Sequence, residues 1–157
     1  MTEIIYWVID KIITAIPGTL LRLIYPPEKV ASQIKVRLKG ETPINPSLNS
    51  SVPCLDIYFE VTNLSNIDLE IDRLIIDLWF GQPVLIGAIL DRELIKSRSD
   101  DFELYFREFL SSKQIKQIEP YLDENPPPGR ISLDIRAYFN SKIGQVKVED
   151  RFERNGI

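Results

Sequence analysis

Apolar and polar residues alternate through much of this chain after residue 33. Side chains of a β-strand point to opposite faces in turn, so a period of two predicts a strand with one buried face. Nearly continuous apolar runs instead predict central strands that are buried on both faces. Alternating and continuous runs together number seven: 34–38, 55–62, 67–80, 84–90, 102–106, 131–139 and 146–152.

Short connections separate most of these seven runs, which favours an antiparallel arrangement. Ser111 or Ser112 can cap a short helix near 112–122, and the proline-containing segment 41–53 is typical of a loop. We therefore predict an all-β fold. Its expected form is a seven-stranded, immunoglobulin-like antiparallel β-sandwich with one short inserted helix and an N-terminal amphipathic helix.

The N-terminal helix is predicted from a different pattern, because 15 of the 22 residues at 4–25 are apolar. Pro17-Gly18 interrupts the segment, which predicts one helix from about residue 2 to 15 and a short second helix from residue 19. On the first helix Asp10 and Lys11 belong to a narrow polar stripe. A wide apolar face is formed by Ile5, Val8, Ile9, Ile12, Ile13 and Ile16.

Three arrangements of this leader remain open. It can lie in the plane of lipid headgroups or re-enter there, it can span a membrane, or it can be buried against its own sheet or a partner subunit. Pro26-Pro27 ends the leader, so we expect three parts: a helical leader or membrane anchor at 1–25, a spacer at 26–32 and the sandwich at 33–153.

Charge is divided unevenly between the leader side and the body. Residues 1–40 hold 6 basic and 3 acidic residues, which leaves 13 basic and 20 acidic residues for the rest. The basic flank favours an anionic lipid surface and, for a spanning leader, places the sandwich on the cytoplasmic side. The predicted membrane contacts are Ile5, Trp7, Val8, Ile9, Ile12, Ile13, Ile16, Lys35, Arg37 and Lys39.

Composition excludes several kinds of chemistry. The net charge of −4 argues against broad binding to nucleic acid, and the absence of histidine removes histidine-based catalytic relays. A single cysteine, Cys54, allows neither an intrachain disulfide nor a multi-cysteine zinc site. Asp68, Glu70 and Asp72 share one strand face but are too few for a calcium site, and we interpret them as a solvated face. We predict no catalytic residue, no metal site and no cofactor.

Three other sequence features have structural interpretations. Asn49-Ser50-Ser51 and Asn63-Leu64-Ser65 match the N-glycosylation pattern, but we interpret both as turns. Trp79 lies within an apolar run and is predicted to belong to the core.

Residues 55–152 resemble the water-stress and hypersensitive-response (WHy) domain of the late-embryogenesis-abundant (LEA) proteins. The likeness rests on Val61-Thr62-Asn63, the Leu69-x-Ile71 pattern, the helix near 112–122 and four glycines at 81, 87, 129 and 144. The family places proline after the turn asparagine, where this chain has Leu64. The resemblance implies a small, non-catalytic β-sandwich linked to stress tolerance and often tethered by a hydrophobic N-terminal segment.

The leading functional hypothesis is a membrane-associated, non-catalytic binding or scaffold module, whose partner is a lipid surface or a membrane protein. The alternative is a soluble, oligomeric, stress-protective interaction protein in which residues 1–25 pack on a partner subunit.

Overall fold

The computed structural model describes residues 2–40, 43–87, 92–123 and 129–155. Four helices lie in these ranges: α1 (Thr2–Ala15), α2 (Gly18–Ile24), α3 (Pro27–Ala31) and α4 (Ser112–Asp123). Nine strands accompany them: β1 (Ile34–Leu38), β2 (Ile44–Ser47), β3 (Cys54–Asn63), β4 (Leu69–Phe80), β5 (Gln82–Gly87), β6 (Leu94–Ile95), β7 (Ser99–Phe109), β8 (Arg130–Ser141) and β9 (Gly144–Asn155). The chain is therefore mostly β, as predicted.

The strands form two antiparallel sheets. In the first sheet β3 pairs with β7 along one edge and with both β1 and β2 along the other. In the second sheet β4 pairs with β8 along one edge and with both β5 and β6 along the other, and β9 pairs with β8. The predicted number of seven strands is too low, because two edges are each shared by two short strands. One of the missed strands, β2, lies in the segment predicted as a loop.

The buried residues of both sheets belong to one hydrophobic cluster, which is the arrangement of a β-sandwich. Phe59 of β3 and Ile76 of β4 are both fully buried in it. Along β4 and β8 buried residues alternate with half-buried or exposed ones, so the period of two correctly identified the inward side chains. A β-bulge between Ile71 and Arg73 shifts the alternation once.

Helix α4 confirms the predicted insertion, and Ser111 is its N-cap. The backbone N–H of Gln114 bonds to Ser111 Oγ at 3.4 Å, and the Ser111 N–H bonds back to Gln114 Oε1 at 2.8 Å. This reciprocal pair is a capping box. Gln114 Nε2 also donates to the Val84 carbonyl at 2.8 Å, which attaches the helix to β5.

The leader forms the two predicted helices, and they are not separate from the body. Leu21 of α2 is 0% exposed and belongs to the central cluster, and Ile13 and Ile16 of α1 pack against that cluster. Residues 26–32, predicted as a spacer, instead contain α3, which contacts β9 and buries Val30 completely. Leader and body therefore share one core across the boundary predicted at residue 33.

Candidate membrane-contact surface

The carboxyl end of α1 is held on the turn between β8 and β9. Lys142 Nζ donates to the backbone carbonyls of Ile13, at 3.0 Å, and Thr14. These carbonyls lie in the last turn of α1, where the helix leaves its own acceptors unpaired and a cation is favourable. Gly18 passes so close to this turn that an added Cβ would lie 2.1 Å from the Lys142 carbonyl oxygen. The leader is thus attached at the junction of its two helices.

Beyond this attachment the leader exposes large apolar side chains. Among the predicted contacts, four side chains of α1 are exposed: Ile5, Trp7, Val8 and Ile12. Three side chains of α2 are exposed as well: Leu20, Leu23 and Ile24. We call these seven residues the leader apolar surface. Exposed large apolar side chains concentrated in one short segment of the chain are typical of an interaction site.

The other three predicted apolar contacts are half-buried. Ile9, Ile13 and Ile16 lie on the side of α1 that turns toward the body, and the last two pack against the core. Ile13 and Ile16, although predicted as membrane contacts, therefore do not belong to the exposed apolar side of α1. The α2 residues of the leader apolar surface were missed, although their apolar character within 4–25 was the available signal.

Basic side chains border the leader apolar surface. Lys11 Nζ lies 5.9 Å from the centre of the Trp7 ring, and Lys29 Nζ lies 5.5 Å from the centre of the Tyr25 ring. At these separations a cation is attracted to the face of the ring. Arg22 is exposed on α2 between the apolar residues. An aromatic ring beside a cation suits the boundary between lipid headgroups and acyl chains.

Two of the three predicted basic contacts that follow the leader are exposed, and the third is half-buried. Lys35 and Arg37 are exposed on β1, as the alternation requires. Lys39 is half-buried and forms an ion pair with Glu103 of β7, so its charge already has a partner within the sandwich.

Within the described ranges, each helix is too short or too polar to cross a membrane.

No protein-family model and no curated protein sequence matches this chain. Solved structures give distant similarities. A Northeast Structural Genomics Consortium target, SoR45, is 12% identical over 77% of this chain and 84% of its own, with a TM-score of 0.49. A protein from Archaeoglobus fulgidus is 12% identical over 79% of this chain and 97% of its own, with a TM-score of 0.45. A candidate LEA protein is 13% identical over 97% of this chain and 90% of its own, with a TM-score of 0.46. These likenesses assign neither a family nor an activity to the chain.

Two of the three carboxylates singled out in the sequence accept hydrogen bonds, each from different partners. Asp68 immediately precedes β4 and accepts the Ser97 N–H at 2.7 Å. Asp72 lies at the β-bulge and accepts from Asn140 Nδ2 at 3.2 Å, whereas Glu70 is half-buried between them. Across the described part of the chain, no group of three or more potential ligand side chains is placed to hold a metal ion.

Asp56 is the carboxylate that alternation alone could not identify. It lies on the outer face of β3 yet is only 5% exposed, because Arg107 and Tyr105 of β7 cover it. Arg107 binds it with two hydrogen bonds of 2.7 and 2.9 Å, and the Tyr105 hydroxyl donates a third at 2.7 Å. The hydrogen bonds from Arg107 hold the pKa of Asp56 below its usual value, against the opposing effect of burial.

This lowered pKa predicts acid sensitivity. The stabilisation is complete above the unfolded-state pKa of about 3.9 and is lost as the pH falls through the folded-state pKa. We expect Asp56→Asn to lower the free energy of unfolding by about 1–3 kcal/mol at pH 7, with the difference shrinking toward the acid end. Urea unfolding at several pH values measures this. Asp100→Asn, at an exposed carboxylate of β7, is the control, and an equal effect in both variants would contradict the assignment.

Proposed function

We propose that residues 2–24 attach this protein to an anionic lipid surface, lying among the headgroups, while the β-sandwich acts as a non-catalytic binding or scaffold module. The leader apolar surface is the observation that carries the proposal. Trp7 is 63% exposed and Leu23 is 80% exposed, on two helices joined by one attached turn. Burying such side chains in acyl chains contributes about 1.5–3 kcal/mol each.

The basic charge around the leader favours lipid over a second copy of the chain as the occupant. Lys11 lies beside Trp7 of the leader apolar surface and Arg22 lies among its α2 residues, and Lys29, Lys35 and Arg37 are exposed shortly after it in sequence. Each basic residue near an anionic leaflet adds about 1 kcal/mol of attraction, whereas two copies of residues 1–40, which hold 6 basic and 3 acidic residues, would repel each other. Cytoplasmic leaflets carry the anionic lipids, so we place the sandwich on the cytoplasmic side.

The family resemblance is part of the same proposal. We infer that residues 55–152 form a WHy-type, immunoglobulin-like sandwich with a stress-related role. The turn asparagine, Asn63, is fully buried, and Gly81 has a positive φ of 65°. An added Cβ at Gly81 or Gly129 would lie 2.5 or 3.3 Å from the Tyr121 hydroxyl of α4. The structure therefore gives a physical reason for asparagine at 63 and for glycine at 81 and 129, three of the positions on which the resemblance rests.

Vesicle co-sedimentation tests the attachment. We expect full-length protein to pellet with phosphatidylcholine vesicles that contain phosphatidylserine, and less with phosphatidylcholine alone. The double variant Trp7→Asp with Leu23→Asp should reduce the partition coefficient at least tenfold, because it removes two inserted side chains and adds two repelled charges.

A matched control is available on the body. Leu94 is 51% exposed and Phe109 is 64% exposed, so Leu94→Asp with Phe109→Asp makes the same change of charge on exposed apolar residues that do not belong to the leader. This control should bind vesicles like the wild type. A different result would overturn lipid attachment in favour of assembly through residues 1–25. In that case the wild-type protein would bind neither vesicle type but would form oligomers, and the double leader variant would not form them.

A further inference from the structure

The outer face of the second sheet carries an ordered array of polar and aromatic side chains. Strands β4, β8 and β9 pair so that their outward residues align in four rows. Successive rows are about 7 Å apart, so the array is about 20 Å long. The rows are Trp79–Ser132–Glu153, Asp77–Asp134–Arg151, Ile75–Arg136–Glu149 and Arg73–Tyr138–Lys147.

Two adjoining depressions lie on this face. One has a volume of about 320 Å³ and is lined by Trp79, Gly81, Arg130, Ser132, Asp134 and Arg151. The other, of about 530 Å³, shares Asp134 and Arg151 and extends to Asp77 and Arg136. Both are shallow and open to solvent, and together they form what we call the groove along β8, with volumes in the range of small-molecule sites.

Trp79 forms one wall of this groove. The sequence placed it in the core, but it is 37% exposed, because Leu78 and Phe80 on either side of it point inward. At the other end of the array the Tyr138 ring lies 4.6 Å from the Arg73 guanidinium. The groove thus has an accessible aromatic face beside its polar floor.

Polar groups on the floor have unused hydrogen-bonding capacity. Asp134 lies 3.6 Å from Arg151, and Arg130 lies 3.6 Å from Glu153, which are separations too long for direct hydrogen bonds. Within the described residues Asp77 Oδ1 is buried without a hydrogen-bond partner. By comparison, both carboxylate oxygens of Asp56 in the first sheet already accept hydrogen bonds from Arg107.

The charges that line the two depressions nearly cancel, because the arginines at 130, 136 and 151 face four carboxylates, at 77, 134, 149 and 150. Asp77 is paired with Arg136 at 2.5 Å, and Glu153 accepts from Arg151 at 2.8 Å. The groove therefore favours neither an anionic nor a cationic ligand strongly. A hydroxyl group fits better, because it donates to a carboxylate and accepts from a guanidinium at once.

We propose that this groove binds a neutral oligosaccharide. The apolar face of a sugar ring packs on Trp79, and its hydroxyls bridge Asp134 with Arg151 and Arg130 with Glu153. This ligand site is independent of the leader, so lipid attachment and saccharide binding are separate properties of the chain.

Fluorescence titration tests the site with defined probes. The chain has two tryptophans, so full-length Trp7→Phe protein reports on Trp79 alone. We expect maltotetraose or cellotetraose to produce a saturable change at millimolar concentration, with amide NMR shifts confined to β4, β8 and β9. No saturable change with either saccharide, or equal displacement by inorganic phosphate, would overturn the proposal.

Two variants and one control locate the ligand. In NMR titrations Trp79→Ala and Asp134→Asn should each weaken saccharide binding at least tenfold, whereas Trp7→Ala on the leader should leave it unchanged. If Trp79→Ala does not fold, the result for Asp134→Asn decides. Unchanged affinity in Asp134→Asn, or an equal loss in Trp7→Ala, would contradict a groove site.

Vesicle binding by folded Asp134→Asn should match the wild type, which keeps this test distinct from that of lipid attachment.

Discussion

Replacing Leu21 by alanine is expected to lower the free energy of unfolding by about 3 kcal/mol, within the usual range of about 2–5 kcal/mol for a buried leucine. Leu21 is 0% exposed and belongs to the core, although it lies on the short helix α2 of the leader. Its truncation leaves a cavity that the surrounding sheets can fill only in part. Urea unfolding followed by far-ultraviolet circular dichroism measures the change.

Leu23 supplies the matched control for this prediction. It lies two residues further along the same helix and is 80% exposed. Leu23→Ala should change stability by less than about 0.5 kcal/mol. If Leu21→Ala were equally harmless, the leader would be a separate arm, and the shared core described above would be incorrect. The same contrast predicts that deletion of residues 1–25 destabilises the sandwich, because it removes Leu21 from the core.

Asn63→Ala should destabilise the protein by about 3 kcal/mol, because it leaves several buried groups unpaired at about 1–3 kcal/mol each. The Asn63 side chain is fully buried at the turn after β3. Its amide donates to the carbonyls of Ile67, at 2.9 Å, and Lys96, at 3.0 Å. Its oxygen accepts from the backbone and the hydroxyl of Ser65, at 3.1 and 2.7 Å.

Thermal unfolding measures this effect as a fall in Tm of roughly 6–12 °C. Asn49, which is exposed in another turn, provides the control, and Asn49→Ala should shift Tm by no more than about 2 °C. Equal shifts for the two variants would show that the bonds of Asn63 carry little stability. The observed bonds support the interpretation of Asn63 as a turn residue.

Local patterns identified most of the secondary structure. Alternation placed the long strands, and the capping residue Ser111 placed α4, because both signals depend on neighbouring residues. The missed strand β2 contains Pro46, which pairs with Leu55 at a sheet edge where proline is tolerated. Strand β6 is only two residues long and has no periodicity to detect.

Local sequence patterns predicted the residues of the candidate sites less well. Asp56 belongs by alternation to the outer face of β3, and only its cover by Arg107 and Tyr105 makes it buried. Trp79 shows the reverse, since an apolar run suggested burial but its position between Leu78 and Phe80 turns it outward. The sequence gives the type of both residues. The exposure of each side chain also depends on which face of the strand other strands cover.

The sequence by itself determined a β-rich body, an inserted helix and two apolar helices that precede the body, because hydrophobic period and helix caps act over a few residues. The tertiary structure alone decided which leucine of α2 is buried and which is exposed. It also decided that Lys142 binds the end of α1, 129 residues away from Ile13 along the chain. Such contacts join segments that no local pattern relates, so they become visible only once the sheets have packed together.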